Sequence, residues 1–196
     1  MTDAAFRVCV YCGSRDGADP AFMRGAEQMG TAIGRRGWQL VYGGGRVGLM
    51  GALADAALRA GAEVHGVIPR SLMQREVGHH RLTRLQVVDT MHERKRLMSE
   101  HCSAFIALPG GIGTLEELFE VWSWRHLGYH QRPIGLLNVA GYFQPLLSMM
   151  QQAQQAGFVT TEQLGMVTLR DSPDALLEAL LALAALTPGA EDLRRI

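Results

Sequence analysis

Ala107-Leu108-Pro109-Gly110-Gly111-Ile112-Gly113-Thr114-Leu115-Glu116-Glu117 reads as the end of a buried strand, a tight glycine turn and the first turn of a helix. Gly110, Gly111 and Gly113 leave no side chain between the backbone and whatever sits over the turn. The first amides of the helix have no intrahelical acceptor, and together with the helix dipole they make an anion site, most naturally for a phosphate. Two carboxylates, Glu116 and Glu117, follow at once. Thr114-x-x-Glu117 also spells a capping box, in which Thr114 caps the helix and Glu117 reaches back to the Thr114 amide. A helix start needs one cap, not three residues lacking a β-carbon before it, so a ligand approaching the backbone explains the glycines better.

Outward from this turn, the same strand, glycine and helix sequence recurs. Residues 7–12 read as a first strand ending in Gly13-Ser14, at the edge where ligands of open α/β sheets collect, which makes Ser14 a candidate contact. Residues 20–36 carry Phe22, Ala26, Met29 and Ile33 at helical spacing. Residues 38–42 form a second strand, followed by Gly43-Gly44-Gly45-Arg46-Val47-Gly48 and a helix over about 49–60. Further strands are expected at 63–68, 84–88, 104–108, 133–138 and 166–169. Helices are expected at 91–101, 114 to about 127, 142–156 and 174–186. No internal repeat, linker or low-complexity tract divides this alternation. It predicts an α/β, Rossmann-like, doubly wound and largely parallel sheet with helices on both faces, a single nucleotide-binding domain over residues 1–196.

The 196 residues, 47% of them hydrophobic, suffice for one ample core. Nineteen basic residues balance nineteen acidic ones, so no net field argues for nucleic acid or for an anionic membrane, and any anion site must be local. No apolar run could span a bilayer and the start of the chain does not resemble a secretory signal; a cytoplasmic protein is expected. Three cysteines fit a reducing compartment. Cys9-Val10-Tyr11-Cys12 spells C-x-x-C, but inside a strand alternate residues point to opposite faces, which argues against redox or zinc roles. His79 and His80 lie in a polar connection over 69–83 without a carboxylate or cysteine at ligand spacing. They read as solvated loop histidines, and no metal site is expected.

Gly43-x-Gly45-x-x-Gly48 matches the dinucleotide fingerprint, which brings an NAD-type oxidoreductase into consideration. The next strand ends in Pro69 without the acidic residue that would hold a ribose, which weakens the match; Gly43 and Gly44 are read as nucleotide contacts, the alternative being small residues that let this turn pack against a neighbouring loop. No Gly-Lys-Ser/Thr occurs, which excludes a Walker loop. Met91, Arg94, Lys95 and Met98 share one helical face, and an inward charge there calls for an anionic ligand or acidic neighbour. Two carboxylates beside an anchored phosphate suit phosphoryl transfer poorly, because developing negative charge wants cations. They suit cleavage of a glycosidic bond, whose transition state puts positive charge on the sugar. The expected reaction is hydrolysis of the N-glycosidic bond of a nucleoside 5′-monophosphate. Glu117 would stabilise the ribose cation and orient or deprotonate water, Glu116 would hold ribose hydroxyls or share that work, and Arg94 would anchor phosphate or sugar.

Gly43-Gly44-Gly45-Arg46-Val47-Gly48-Leu49-Met50-Gly51, Met91-His92-Glu93-Arg94-Lys95 and Pro109-Gly110-Gly111-Ile112-Gly113-Thr114-Leu115-Glu116-Glu117 together resemble the Lonely Guy family of cytokinin riboside 5′-monophosphate phosphoribohydrolases. The similarity runs from about Val8 to Ala156. It implies a Rossmann-like homodimer with sites near the subunit interface, releasing a purine base and ribose 5-phosphate without a cofactor. The family's catalytic arginine and glutamate fall on Arg94 and Glu117. Its substrate contacts fall on Glu76, Lys95, the 111–117 segment and Ser123, where many members have threonine. Residues 77–81 depart from the commoner family sequence, at the rim expected to set base preference. Family members have also carried the label lysine decarboxylase, but Lys95 is the only lysine available for a pyridoxal phosphate Schiff base. The alternative class is a carrier of nucleotides or molybdenum cofactor on a similar fold. Arg94 with both glutamates separates the two, since a carrier requires none of them.

Overall fold

A computed structural model describes residues 6–73, 77–100 and 102–186. Strands β1 (Arg7–Tyr11), β2 (Gln39–Tyr42), β3 (Val64–Pro69), β4 (Arg84–Val88), β5 (Ala104–Ala107), β6 (Ile134–Leu137) and β7 (Val167–Arg170) form one sheet in the order β4-β3-β2-β1-β5-β6-β7. Every neighbouring pair is parallel. The helices between them are α1 (Pro20–Arg35), α2 (Gly48–Arg59), α3 (Met91–Glu100), α4 (Ile112–His126), α5 (Gln144–Gln155), α6 (Thr161–Leu164) and α7 (Pro173–Ala185). From β1 the chain steps outward through β2 and β3 to β4, then returns to lay β5 on the other side of β1. The strand order therefore reverses between β1 and β5, and a crevice opens beyond their carboxyl ends, the position at which open α/β sheets bind ligands.

Alternation along each strand feeds two cores. Val8, Val10, Leu40, Tyr42 and Ile106 face α1, α2 and α7, while Cys9, Tyr11, Val41 and Phe105 face α3 and α4. Cys9 and Cys12 fall into different cores, as the strand period requires. All three cysteines are buried free thiols. Burial, followed by the neighbouring Cys102, pushes the Cys9 thiol well above its ordinary range.

Two readings need correction. The turn of α4 begins at Ile112 with Gly111 as its N-cap, so Thr114 is the third helical residue and the Thr114–Glu117 capping box is not formed. The helix expected over 142–156 is α5, preceded by a short 3-10 turn, Val139–Gly141. Positive φ at Ala140 and Gly141 keeps that turn out of the helix. His79 is fully buried, not solvated. The sequence reading also passed over α6, although Thr160 and Gln163 close a capping box at its start.

Helices α1 and α2 cross backbone to backbone. A β-carbon on Gly30 would lie 2.3 Å from the Leu53 carbonyl oxygen, and one on Gly34 would lie 2.5 Å from the Ala60 β-carbon. Helix propensity alone would make Gly30→Ala a gain of about 1 kcal/mol. The clash with backbone reverses the sign: Gly30→Ala should lower the free energy of unfolding by about 1–3 kcal/mol, read from denaturant melts.

Candidate active site

A cavity of about 750 Å³ lies at the switch point. Its walls come from the loop after β1, the turn after β2, the turn after β5 with the start of α4, and α3. The volume falls within the range of about 300–1,000 Å³ usual for small-molecule sites. Ser14, Gly43, Arg94, Gly110, Gly111, Gly113, Thr114, Glu116 and Glu117 all line it. Residues from four separate segments of sequence thus meet in one space.

The α4 amino terminus faces this space with no side-chain cap, because its N-cap is a glycine. The amides of Ile112, Gly113 and Thr114 have no acceptor within the helix, and the dipole adds partial positive charge. The glycines divide into two kinds. A β-carbon on Gly110 would lie 2.1 Å from the Thr114 hydroxyl oxygen, so Gly110 is required by packing. At Gly111 and Gly113 a β-carbon would meet nothing within 4 Å. The protein itself does not need glycine there, and the open space is what an anion approaching the amides would use.

Arg94 is buried on α3 and donates from Nη2 to the Gly43 carbonyl at 3.1 Å. A β-carbon on Gly43 would stand 2.0 Å from that nitrogen, so glycine is needed to admit the guanidinium. Glu117 is half-buried in the wall of the cavity. Burial first, then the Cys9 and Glu117 charges, pushes the Tyr11 phenol well above its ordinary range, so Tyr11 remains a neutral hydroxyl in the cavity floor.

Lys95 and Glu116 meet elsewhere than expected. Lys95 Nζ contacts Glu116 Oε1 at 2.7 Å and Glu120 Oε1 at 2.8 Å. Desolvation alone would lower its pKa; the hydrogen bonds and charges of the two carboxylates outweigh that and raise it above the ordinary lysine value. Lys95 lines a separate depression with His92, Glu120 and Trp124, outside the cavity. Gly44, with φ +76°, turns away from the cavity towards Leu85 and Ile68. Ser123 is exposed on α4, away from the cavity. Glu76 lies outside the described residues. Among the described residues no cluster of side chains is arranged to hold a metal ion, and no helix is long and apolar enough to cross a membrane.

Sequence reasoning missed Arg15, Phe22 and Tyr142 in the cavity wall. Tyr142 donates its hydroxyl to the Gly110 carbonyl and meets Phe22 edge-on at 5.7 Å. Phe22 was legible only as an apolar helix position. Arg15 carried a signal, a basic residue next to Ser14 in the loop that follows β1.

A family model described as "Possible lysine decarboxylase" matches residues 50–180. The chain is 54% identical over 154 residues to the cytokinin riboside 5′-monophosphate phosphoribohydrolase of Rhodococcoides fascians, covering 78% of each protein. It is 44% identical over 174 residues to the cytokinin riboside 5′-monophosphate phosphoribohydrolase LOG1 of Arabidopsis thaliana, covering 89% of this chain and 82% of that one. Among solved structures, the molybdenum cofactor carrier protein of Chlamydomonas reinhardtii superposes with a TM-score of 0.71 at 18% identity, over 93% of this chain and 99% of that one. That likeness is one of fold.

The two kinds of glycine can be told apart. Gly113→Ala meets no protein atom and adds a better helix former, so it should keep or slightly raise the melting temperature while weakening binding of a phosphate-bearing ligand by tenfold or more, on the order of 1.4 kcal/mol. Gly110→Ala should instead lower the melting temperature. Thermal melts with and without nucleotide would distinguish them.

Proposed function

The chain belongs to the Lonely Guy (LOG) family of cytokinin riboside 5′-monophosphate phosphoribohydrolases, and we propose that Arg94 and Glu117 carry its hydrolysis of a purine nucleoside 5′-monophosphate to free base and ribose 5-phosphate. One observation carries the residue assignment: Glu117, Arg94 and the uncapped amino terminus of α4 line a single cavity.

With the 5′-phosphate on the amides of residues 112–114, the ribose extends along the first turns of α4. The Glu117 carboxylate then faces the anomeric carbon. As the N-glycosidic bond breaks, its electron pair leaves with the base and positive charge develops on the sugar, which an ionised Glu117 stabilises. Water adds its oxygen to the anomeric carbon; Glu117 orients it and takes its proton, and a proton ends on the departing base. One preorganised electrostatic contact of this kind is worth about 3 kcal/mol. Arg94, held by the Gly43 carbonyl, supplies a fixed cation to the phosphate or sugar. Binding energy from the unreacting phosphate orients the reacting carbon, so a nucleoside without it should react more slowly.

A pyridoxal phosphate reaction does not fit these residues. Lys95 is the only lysine, and its ammonium is held by two carboxylates with a raised pKa, the opposite of the free amine that a Schiff base requires. The remaining features support a homodimer. Ile112, 88% exposed, and Leu127 leave apolar surface on α4, the helix that also carries exposed Ser123. A second copy against α4 would give Ser123 a route to a substrate contact. Three free buried cysteines fit the reducing cytoplasm.

The test is base release from AMP and from N6-substituted analogues, followed by chromatography. Wild-type protein should release base. Glu117→Gln should bind nucleotide with little change and lose turnover by about 100-fold or more, with a melting temperature near that of wild type because no cap is removed. Retained turnover in that variant would remove Glu117 from the chemistry.

A further inference from the structure

His79 is the one fully buried charged or titratable side chain in the connection between β3 and β4 among the described residues, and the reaction does not use it. Both ring nitrogens are engaged. Arg81 donates its backbone N–H to Nδ1 at 3.3 Å, so Nδ1 accepts, the ring proton sits on Nε2, and Nε2 donates to Asp55 Oδ1 on α2 at 3.1 Å. The exposed Arg81 guanidinium reaches the same carboxylate oxygen at 3.2 Å.

The backbone around His79 grips the turn that follows β2. Its N–H donates to the Gly44 carbonyl at 2.9 Å, Arg46 donates to the Val77 carbonyl at 3.0 Å, and Gly45 and Gly78 form an antiparallel bridge. Val77 holds φ +47°, a conformation that a β-branched residue adopts only under constraint. From within the sheet, the Tyr42 hydroxyl donates to the Gly45 carbonyl at 3.1 Å. The turn held in this way begins at Gly43, whose carbonyl receives Arg94, with no room for even a β-carbon between them.

We propose that His79 is a positioning residue for Arg94: anchored to Asp55, the buried imidazole fixes residues 77–79 against the 43–46 turn and thereby sets the carbonyl that aims the guanidinium. This rests on the functional reading above, in which Arg94 acts on the substrate. Because the contact is so close, movement of the turn passes directly to the guanidinium, and a displacement of about 1 Å at a reacting group can cost 100-fold in rate. Residues 77–81 therefore influence turnover from behind the cavity, without touching the substrate.

The experiment compares wild type, His79→Ala and His79→Gln, each alone and combined with Arg94→Lys, in single-turnover base release with enzyme in excess. The glutamine amide can restore an N–H donor to Asp55. His79→Ala should lower the rate about 10- to 100-fold while changing nucleotide affinity far less, and His79→Gln should recover most of the loss. In the Arg94→Lys background, His79→Ala should cost about twofold or less, because the two act as a unit. Equal fold losses in both backgrounds, or a loss that merely tracks the unfolded fraction, would overturn the proposal. If His79→Ala does not fold, Asp55→Ala, which removes the acceptor for Nε2 at a half-exposed position, carries the same prediction. A wild type that releases no base overturns the functional reading alone. Hydrogen exchange then decides the anchor: unchanged protection of the Arg46 and His79 amides in Asp55→Ala would sink it.

Discussion

Everything at this site depends on three chain segments sharing one small volume at the point where the strand order reverses. The loop after β1, the turn after β2 and the turn after β5 approach main chain to main chain. Gly13 donates to the Pro109 carbonyl at 3.0 Å, and Met50 donates to the Gly13 carbonyl at 3.3 Å. A β-carbon on Gly13 would stand 3.2 Å from the Gly110 Cα, and one on Gly48 would stand 2.4 Å from the Ser14 and Arg15 backbone. Such contacts exclude side chains, so the glycines first shape the protein, and only where the chain opens outward do they serve a ligand. Much of the cavity wall is consequently backbone, hydrogen-bonded and carrying fixed dipoles, which is the kind of surface that stabilises charge without reorganising.

The charge distribution follows the same division. A chain with no net charge must build any anion site locally, and the uncapped start of α4 and one buried arginine are the local sources of positive charge that line the cavity. Lys95, the neighbouring cation, does not take part in the cavity; it joins α3 to α4 through Glu116 and Glu120. Positive potential is thus concentrated where a phosphate would sit, while the wall further along α4 stays acidic. An oxocarbenium-like sugar attached to a phosphate needs both, separated by about one ribose.

Much of this was legible in the sequence, and what was not has identifiable causes. Alternating apolar strands and amphipathic helices gave the parallel sheet, because period and turn chemistry are local. The glycine turns marked the strand ends that meet, because open sheets bind ligands at that edge. The start of α4 was ambiguous, since Thr114-x-x-Glu117 satisfies a capping pattern whether or not Thr114 is the cap. The burial of His79 was invisible because it depends on Asp55 and on the Gly45–Gly78 bridge, pairings that no local pattern encodes. The α1–α2 crossing depends in the same way on Gly30 and Gly34, which read in sequence only as weak points of a helix.

The pair Glu116-Glu117 shows how a structure resolves what adjacency leaves open. Consecutive helical residues diverge by about 100° around the axis, so the two neighbouring carboxylates point apart. Glu116 is drawn to the Lys95 ammonium at the cavity's edge. Glu117 turns inward, close enough to Tyr11 and Cys9 for its charge to raise the pKa of both. Lys95 thereby balances the charge of one member of the pair and leaves Glu117 as the one in the cavity wall that does not pair with it. Were both directed inward, two like charges would compete for one ribose. In the proposed reaction the single lysine thus leaves Glu117 as the glutamate that meets the substrate.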